Sequence, residues 1–329
     1  MERMPSIVAD FPAAHFVQTN GIRMAVYEKG SGFPVVLCHG FPELAFSWRH
    51  QLPALANGGF RAIAPDQRGY GKTHKPDDVA EYDIQHLADD LAGLLDALEL
   101  EKAVFCGHDW GGHVVWEMPL FHPERVAGVI GLNTPHRYFR RMGNDPAAWL
   151  LKHFSARNYR LAFLEEGIED SLGAELMPAF FDGLFRAVPI TMAEFLAAPP
   201  EVRHLEWEFI LASALNPKPA GRQLLNPDEL KVYAEAFAAG GLTGPLNWYR
   251  NLLRNNQILA GTSENISVPC LMISAEHDIF LPPELADGME NYIPDLEKHL
   301  LPQCGHWTQV EKPKEVNQLI LDWLSRKFL

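Results

Sequence analysis

Residues 102–113 read Lys-Ala-Val-Phe-Cys-Gly-His-Asp-Trp-Gly-Gly-His. The stretch from Lys102 to Cys106, apolar from Ala103 onwards, predicts a short buried strand, and the residues from Trp110 to Phe121 predict a helix. A Gly-x-Asp-x-Gly motif therefore lies where a strand turns into a helix. The small residues on either side of Asp109 allow a sharp turn that lifts its side chain clear of both elements, the geometry called a nucleophile elbow. A Ser at such an elbow must lose a proton before it attacks, whereas a carboxylate attacks carbon directly, so Asp109 predicts alkyl transfer.

The elbow motif alone is a weak sign, because Asp beside Gly also occurs in ordinary turns and helix caps. Three further segments strengthen it, each close to the end of a predicted strand: His39-Gly-Phe-Pro42, the run from Leu271 to Asp278, and Gln303-Cys-Gly-His306. Along the chain the nucleophile comes first, the acid second and the histidine last. A sheet with such an elbow supplies its catalytic triad in this order.

The pattern of apolar residues predicts an α/β fold. The Asn20-Gly21 pair predicts a hairpin over residues 15–29. Further strands are predicted near residues 34–38, 60–64, 102–106, 127–132, 268–274 and 296–301, with helices at Ser47–Asn57, Ile84–Leu98, Trp110–Phe121 and Pro313–Phe328. Because strands and helices alternate, we expect a mostly parallel sheet with helices on both faces.

The alternation stops between about residues 137 and 255, where apolar and aromatic residues recur at helical spacing between prolines. The sequence therefore predicts a core formed by residues 1–136 and 256–329 and a helical cap over residues 137–255. Both ends of this insertion leave the same sheet, and sites in such sheets open at the carboxyl ends of the strands. We expect the cap to cover the elbow as a lid over an apolar pocket.

The charge balance excludes several kinds of partner. The chain has 329 residues, 47% of them hydrophobic, and a formal net charge of −14. Nucleic acid and anionic membranes attract basic surfaces, so we expect neither as a partner. The first ten residues contain no apolar leader run, and no segment has the about 20 apolar residues of a membrane span. These features predict a cytoplasmic protein.

The four cysteines predict buried thiols. Cys38, Cys106, Cys270 and Cys304 show no CxxC spacing, and three of them fall in or at the end of predicted strands. This pattern is typical of packing residues, not of disulfides or a zinc site. The sequence predicts no metal and no cofactor.

An ester formed on Asp109 would develop an oxyanion when water attacks it, and two backbone N–H groups should stabilise that charge. The elbow offers the N–H of Trp110. The loop after the first parallel strand offers the N–H of Phe41, because Pro42 has none, and a cis peptide bond before Pro42 would aim it. We also expect His39, Pro42 and Trp110 to contact the substrate.

His306 is the predicted general base, because imidazole accepts and returns a proton near neutral pH. The chain contains 14 histidines, and the position of His306 after the last predicted strand distinguishes it from the others. The acid that orients His306 is either Asp278 or Glu276. These residues are two apart, so strand alternation points both side chains the same way. We prefer Asp278, although spacing alone leaves the choice open.

Together these motifs resemble the α/β-hydrolase fold epoxide hydrolases over nearly the whole chain, and most closely the soluble type without an N-terminal phosphatase domain. The resemblance implies that Asp278, the last residue of the Ala-Glu-x-Asp segment, is the acid. It also implies two cap tyrosines that donate hydrogen bonds to the epoxide oxygen. Tyr249, within Pro245-Leu-Asn-Trp-Tyr-Arg-Asn, is a specific match, and Tyr159, within Asn158-Tyr-Arg-Leu-Ala-Phe, is a looser one.

An acid is chemically reasonable for this reaction, because the alkoxide that leaves an opened epoxide is strongly basic. The resemblance implies a small apolar epoxide and water as substrates, a vicinal diol as product, and a monomer or homodimer that needs no cofactor.

Haloalkane dehalogenase is the nearest alternative, since that family shares the fold and an Asp-Trp elbow. Its loop often reads His-Gly-Asn-Pro, whereas this chain has Phe41 in the third position. Fluoroacetate dehalogenases share His-Gly-Phe-Pro but have Arg where this chain has Trp110. A serine esterase is disfavoured because no Gly-x-Ser-x-Gly occurs. A non-catalytic binding protein of the same fold is a weaker alternative, because every triad position is filled.

Overall fold

The computed structural model describes residues 7–188 and 190–329. Residues 1–6, which begin the stretch interpreted above as lacking a leader, lie outside this description. The described strands are β1 His15–Thr19, β2 Ile22–Lys29, β3 Phe33–Cys38, β4 Phe60–Pro65, β5 Ala103–His108, β6 Val126–Leu132, β7 Arg186–Ala187, β8 Arg222–Gln223, β9 Cys270–Ala275 and β10 Leu296–Leu301.

The α-helices are distributed between these strands, with short 3₁₀ turns among them. They are α1 Gln51–Asn57, α2 Ile84–Ala97, α3 Trp110–Phe121, α4 Pro146–His153, α5 Tyr159–Ala162, α6 Met177–Leu184, α7 Met192–Ala197, α8 Pro200–Arg203, α9 Trp207–Ala214, α10 Pro227–Gly240, α11 Thr243–Arg250, α12 Leu252–Leu259, α13 Thr308–Glu311 and α14 Pro313–Phe328.

Eight strands form one sheet in the order β1-β2-β4-β3-β5-β6-β9-β10. Strand β2 pairs antiparallel with both β1 and β4, and every later pairing in the sheet is parallel. The hairpin turns at Asn20 and Gly21, both at positive φ. The predicted hairpin and mostly parallel sheet are confirmed. This order places β5, which leads into the elbow, in the middle of the sheet.

The central strands are almost entirely buried because both faces of the sheet are covered. Alternate residues of β3 enter different clusters: Val36 packs on the side of α2 and α3, and Val35 on the side of α1 and α14. Both valines are fully buried. A strand buried on both faces reads as a continuous apolar run, which explains why the central strands were predictable from short sequence windows.

One predicted helix differs from the structure. The segment from Ser47 to Asn57 is divided into a 3₁₀ turn at Ala45–Trp48 and helix α1, which begins at Gln51. Pro53 explains the break: it has no N–H to donate, and its ring would collide with the carbonyl four residues earlier in a continuous helix. Within the first turn of α1 neither restriction applies.

The segment between β6 and β9 contains helices α4–α12, in agreement with the predicted helical insertion, and also a small two-stranded sheet. Arg186 and Ala187 pair antiparallel with Gln223 and Arg222. Strands of two residues are too short to produce an alternating pattern, so they escaped the sequence interpretation.

The four cysteines are free and buried, in agreement with the prediction of packing thiols. None of the described helices has the length and apolar content to cross a membrane. Within residues 7–188 and 190–329, no cluster of His, Cys, Asp or Glu side chains is arranged to hold a metal ion.

Candidate active site

Asp109 lies at the turn between β5 and α3 with φ +49° and ψ −120°. Few non-glycine residues adopt positive φ, and they occur mainly where surrounding structure enforces it. The flanking glycines provide this enforcement. A Cβ atom on Gly107 would collide with the backbone of Gly111, and one on Gly111 would collide with the backbone of Cys38. The elbow therefore requires glycine at both positions.

The loop after β3 contacts the Asp109 carboxylate directly. The N–H of Phe41 donates to Asp109 Oδ1 at 2.8 Å, and the Phe41-Pro42 peptide bond is cis, as anticipated. Burial raises the pKa of Asp109, and His306 with the N–H groups of Phe41 and Trp110 opposes that rise. The two backbone donors selected from the sequence thus both act on this carboxylate.

His306 lies between two carboxylates. Its Nδ1 forms a hydrogen bond of 2.8 Å with Asp278 Oδ2, and its Nε2 is 3.9 Å from Asp109 Oδ2. Burial alone would lower the pKa of His306, but the charge and hydrogen bond of Asp278 and the charge of Asp109 outweigh it and raise the pKa to about 9. The gap of 3.9 Å is too long for a direct hydrogen bond, so a proton passing between these two groups needs a bridging molecule.

The two alternative acids occupy different environments. Asp278 is fully buried and accepts the backbone N–H groups of Phe280 and Leu281 at 2.9 and 3.0 Å. Burial would raise its pKa, but His306, the side-chain amide of Asn133 and the Leu281 N–H lower the pKa of Asp278 to about 2. Glu276 has a side chain 45% exposed and accepts the N–H of Gln303. Geometry therefore favours Asp278 as the residue that can orient His306.

Tyr159 and Tyr249 both line the cavity that contains Asp109 and His306. Tyr159 begins α5 and Tyr249 lies near the end of α11, and their ring centroids are 6.1 Å apart. Burial raises the pKa of each phenol, which keeps both protonated and able to donate. The structure thus brings the two tyrosines to the same cavity from distant parts of the chain.

Trp110 packs against Tyr249, with ring centroids 5.0 Å apart, and borders a small recess beside Asp109. Pro42 lines the cavity itself. His39 does not, and the prediction that it contacts substrate needs correction. The His39 ring is fully buried and bonded on both nitrogens, to the Gly40 carbonyl and the Gln67 N–H. This ring supports the loop from behind.

Glu43 forms a buried network that sequence reasoning missed. Its carboxylate accepts the N–H of Gly40 at 2.8 Å, contacts His108 Nδ1 at 2.7 Å and accepts Gln309 Nε2 at 2.8 Å. Burial alone would raise the pKa of Glu43, but His108 and the Gly40 N–H lower it to about 2. His108 Nε2 in turn contacts the His306 carbonyl at 2.8 Å. The network links the oxyanion loop to the backbone of the predicted base.

Asn133 supports the acid. It lies just after β6 at φ +63° and donates its amide to Asp278 Oδ2, while the Thr308 hydroxyl donates to Asn133 Oδ1 at 2.7 Å. Polar residues directly after parallel strands meet at one edge of the sheet. This rule places Asn133 at the site from the sequence, whereas Glu43 lies beyond the turn that follows β3 and is not marked by it.

Arg160 is a second residue that the sequence interpretation missed. Its side chain is buried beside Tyr159, with Cζ 4.7 Å from the ring centroid, and it lines the recess beside Asp109. It donates to the Phe280 carbonyl at 3.3 Å, whereas its Nη1 has no hydrogen-bond partner among the described residues. A buried cation in this position is costly unless a polar guest joins it.

The geometry agrees with the family comparison. Residues 34–313 match the family described as alpha/beta hydrolase fold. This match covers most of the sequence, and the chain belongs to the α/β-hydrolase fold family. The fold predicted from the alternation of strands and helices is thereby confirmed.

Within this family, the similarity is to proteins named epoxide hydrolases, which confirms the resemblance inferred from the motifs. The chain is 41% identical over 306 residues to bifunctional epoxide hydrolase 2 of Sus scrofa, covering 93% of this chain and 54% of that protein. It thus spans about half the length of the mammalian relatives. It is 40% identical over 324 residues to epoxide hydrolase A of Mycobacterium tuberculosis, covering 95% and 98% of the two chains.

Solved structures give the same result. The crystal structure of epoxide hydrolase A from Mycobacterium thermoresistibile superposes with a TM-score of 0.81 at 38% identity, covering 95% of this chain and 98% of that one. A laboratory-evolved variant of potato epoxide hydrolase superposes with a TM-score of 0.82 at 31% identity.

Proposed function

We propose that this chain is an epoxide hydrolase that converts epoxides into vicinal diols through an ester of Asp109. The observation that carries the proposal is the cavity in which Asp109, His306, Tyr159 and Tyr249 meet. It combines a nucleophile, a base and two acids around one apolar space. Relatives named epoxide hydrolases at about 40% identity support the same activity.

In the first step Asp109 Oδ2 attacks an epoxide carbon while its Oδ1 stays bound to the Phe41 N–H. The carbon–oxygen bond of the ring breaks, and Tyr159 and Tyr249 donate hydrogen bonds and a proton to the oxygen that leaves. The product of this step is a hydroxyalkyl ester of Asp109.

In the second step His306 removes a proton from water, which attacks the ester carbon of Asp109. Negative charge develops on Oδ1, where the N–H groups of Phe41 and Trp110 stabilise it. Collapse of this intermediate breaks the ester bond and releases the second hydroxyl of the diol, to which the proton on His306 returns. The other proton of the water, left on the Asp109 carboxyl, restores the phenol that gave up its proton in the first step. Asp278 stabilises the imidazolium that forms, and its hydrogen bond of 2.8 Å fixes the ring orientation.

Loss of the Asp109 charge in the ester prepares His306 for this role. In the free enzyme two carboxylates raise its pKa to about 9, so the ring is mostly protonated at pH 7. Once Asp109 is esterified, one of the two charges disappears and the pKa falls. The base is therefore generated by the first step.

We also propose a core of residues 1–136 and 256–329 and a cap of residues 137–255. Both tyrosines come from the cap segment, whereas Asp109, Asp278 and His306 come from the core. Catalysis would then depend on the packing of the cap on the core. The free, buried cysteines support a reducing compartment such as the cytoplasm. For the assembly we propose a monomer or homodimer, which light scattering would decide.

The intact mass of His306→Ala after incubation with epoxides, and separately with haloalkanes, tests the chemistry. Without its base the enzyme should stall at the ester, so the mass gain equals the whole epoxide and is absent when Asp109 is also changed to Ala. A gain of an alkyl group without its halogen would instead identify a haloalkane dehalogenase. No adduct from either panel, with a folded protein, would favour a non-catalytic member of the fold.

A further inference from the structure

Three cavities lie in a row across the candidate active site, and their sizes are very unequal. The central cavity, between Asp109 and His306, measures about 50 Å³. The inner recess shares Asp109, Tyr159 and Tyr249 with it and measures about 20 Å³. The outer chamber shares Phe280 and His306 with the central cavity and measures about 330 Å³.

The inner recess accepts only a very small group. A volume of about 20 Å³ has room for roughly one water molecule. The buried side chains of Phe139 and Met142 line it, together with Leu252. Its polar groups include His113, Tyr138 and Arg160, and Arg160 Nη1 has no hydrogen-bond partner among the described residues. An alkyl chain here would offer no hydrogen bond to these polar groups and would leave the guanidinium unsolvated.

The outer chamber has the opposite character. Its lining includes Val202, Leu205 and Ile279, and the apolar side chains of Val188 and Phe209 at its edge are 44% and 38% exposed. Its volume lies within the range of sites that bury small organic ligands. The chamber therefore offers an apolar substituent a path from solvent to the central cavity.

The tyrosines fix where an epoxide must lie between these spaces. Tyr159 and Tyr249 line both the central cavity and the inner recess, so an epoxide oxygen that both phenols contact lies at the boundary between them. Substituents on the two ring carbons then diverge, one towards the recess and one towards the chamber.

We propose, on the basis of the epoxide hydrolase function proposed above, that this enzyme prefers terminal epoxides with a single long apolar substituent. The unsubstituted ring carbon faces the inner recess, and the substituent extends through the central cavity into the outer chamber. Internal epoxides with an alkyl group on each carbon are disfavoured, because one of the two groups must enter the recess.

Two isomers test the proposal. The compounds 1,2-epoxyoctane and cis-4,5-epoxyoctane have the same formula, and only the second places an alkyl chain on both ring carbons. We expect kcat/KM for the terminal isomer to be at least about tenfold higher. Equal kcat/KM values, or a preference for the internal isomer, would overturn the proposal. No turnover of either isomer, or of 1,2-epoxybutane, would instead count against the epoxide hydrolase function itself.

Variants separate the shape of the cavities from the intrinsic reactivity of the isomers. Met142→Ala enlarges the inner recess and should reduce the preference for the terminal isomer at least about threefold, whereas an unchanged ratio in a folded variant would overturn the role of the recess. Val202→Trp fills the outer chamber and should lower kcat/KM for 1,2-epoxyoctane at least about tenfold more than for 1,2-epoxybutane. Equal losses on both substrates would remove the chamber from the binding path.

Leu196→Trp is the matched control, because Leu196 is 62% exposed and lies outside the residues that line these cavities. It places the same indole ring on a neighbouring helix and should leave both substrate ratios at the parent values. Thermal unfolding of each variant shows whether the fold is retained.

Discussion

The Asp109 carboxylate is buried, which disfavours its negative charge. Its two oxygens have different surroundings. Oδ1 accepts the Phe41 N–H at 2.8 Å, whereas Oδ2 faces His306 Nε2 at 3.9 Å. Oδ2 therefore has fewer bonds to break before it attacks an electrophile. A carboxylate that is both desolvated and oriented reacts faster than one in water.

The first prediction concerns pH. In the ester, His306 has lost the charge of Asp109 beside it, so the base should titrate below the pKa of about 9 that it has in the free enzyme. The neutral imidazole is the active form, and ester hydrolysis should accelerate as pH rises to that lower value and then level off. Rapid-quench mass spectrometry of the adduct between pH 5 and 9 measures the rate. A rate independent of pH would exclude His306 as the base.

The second prediction concerns the phenols. Tyr249→Phe removes a donor from the cavity but leaves His306 and the oxyanion donors intact. We expect ester formation to slow by about 10²-fold and ester hydrolysis to change little. Stopped-flow measurement of a single turnover separates the two rates. Tyr233→Phe is the control, since the Tyr233 hydroxyl pairs with Ser47 away from this cavity. A parent rate of ester formation in Tyr249→Phe would remove this tyrosine from the mechanism.

Local sequence motifs were sufficient to predict some residues of the candidate site but not others. Asp109 and His306 were predictable because glycines and strand ends mark their positions within a few residues. Asp278 and Glu276 were not separable by spacing, because burial and the N–H groups of Phe280 and Leu281 distinguish them. Arg160 had no local signature, since its importance depends on packing against residues distant in sequence.

At the scale of elements, the loop after β3 and the elbow are closely interlocked. A Cβ atom on Gly40 would lie 2.5 Å from Asp109 Oδ1 and 2.9 Å from its Cγ. The backbone of Gly40 has no positive φ, so an alanine here is not strained by its own conformation. The close approach itself therefore requires glycine at this position.

Gly40→Ala is the third prediction. The added methyl group should push the loop away from Asp109 and weaken the Phe41 N–H contact, with a loss of about 10²-fold in kcat. The matched control is Gly261→Ala, because a Cβ atom there meets open space. Steady-state kinetics and thermal unfolding of both variants provide the comparison. Full activity in Gly40→Ala would mean that the loop tolerates displacement without losing function.

A buried ion pair joins the elbow helix to the segment that follows β6. Arg140 Nη2 is 3.8 Å from Glu117 Oε2 on α3, and Arg140 also donates to the carbonyl of Leu259, the last residue of α12. Burial raises the pKa of Glu117 to about 7, against the charge of Arg140. Arg140 thus connects both ends of the helical insertion to Glu117, a carboxylate that is costly to ionise.

The fourth prediction follows from this pKa. An unfolded chain releases the Glu117 proton above about pH 4.5, so the raised folded pKa removes stability as pH rises from 4.5 to 7. In Glu117→Gln residue 117 cannot titrate, so this variant does not lose that stability as pH rises. Its free energy of unfolding relative to the parent should increase by up to about 3 kcal/mol between pH 4.5 and 8. Urea unfolding measures it, with the exposed Glu124→Gln as control. The same difference at both pH values would mean that Glu117 titrates normally.

Elements were predicted well where burial is two-sided and poorly where chain-breaking residues intervene. The central strands matched to within two residues because continuous apolar runs identify them. The prediction of one helix over Ser47–Asn57 was wrong because Pro53 allows a helix only from Gln51 onwards. The β7–β8 pair depends on contacts between residues far apart in sequence, which periodicity does not record.

At the scale of the whole molecule, the sheet gathers catalytic groups from distant parts of the chain, and the segment after β6 adds the phenols. The proposed catalytic groups come from the loop after β3, from the ends of β5 and β9, and from the loop after β10. Their order was predictable from the motifs. The sizes of the cavities between them were not, because volume depends on how the side chains of many helices pack.

The buried thiols have a consequence for survival of the enzyme. Epoxides alkylate thiolates, so an enzyme with the function proposed above risks inactivation by its own substrate. Burial raises the pKa of all four thiols, of Cys304 to about 12, which keeps them protonated and poorly nucleophilic. We therefore expect His306→Ala in excess epoxide to gain one adduct per chain, and peptide mapping should locate it on Asp109. Epoxide adducts on cysteine would contradict this expectation. If no cysteine carries an adduct, the enzyme should stay active at epoxide concentrations that inactivate thiol-dependent proteins.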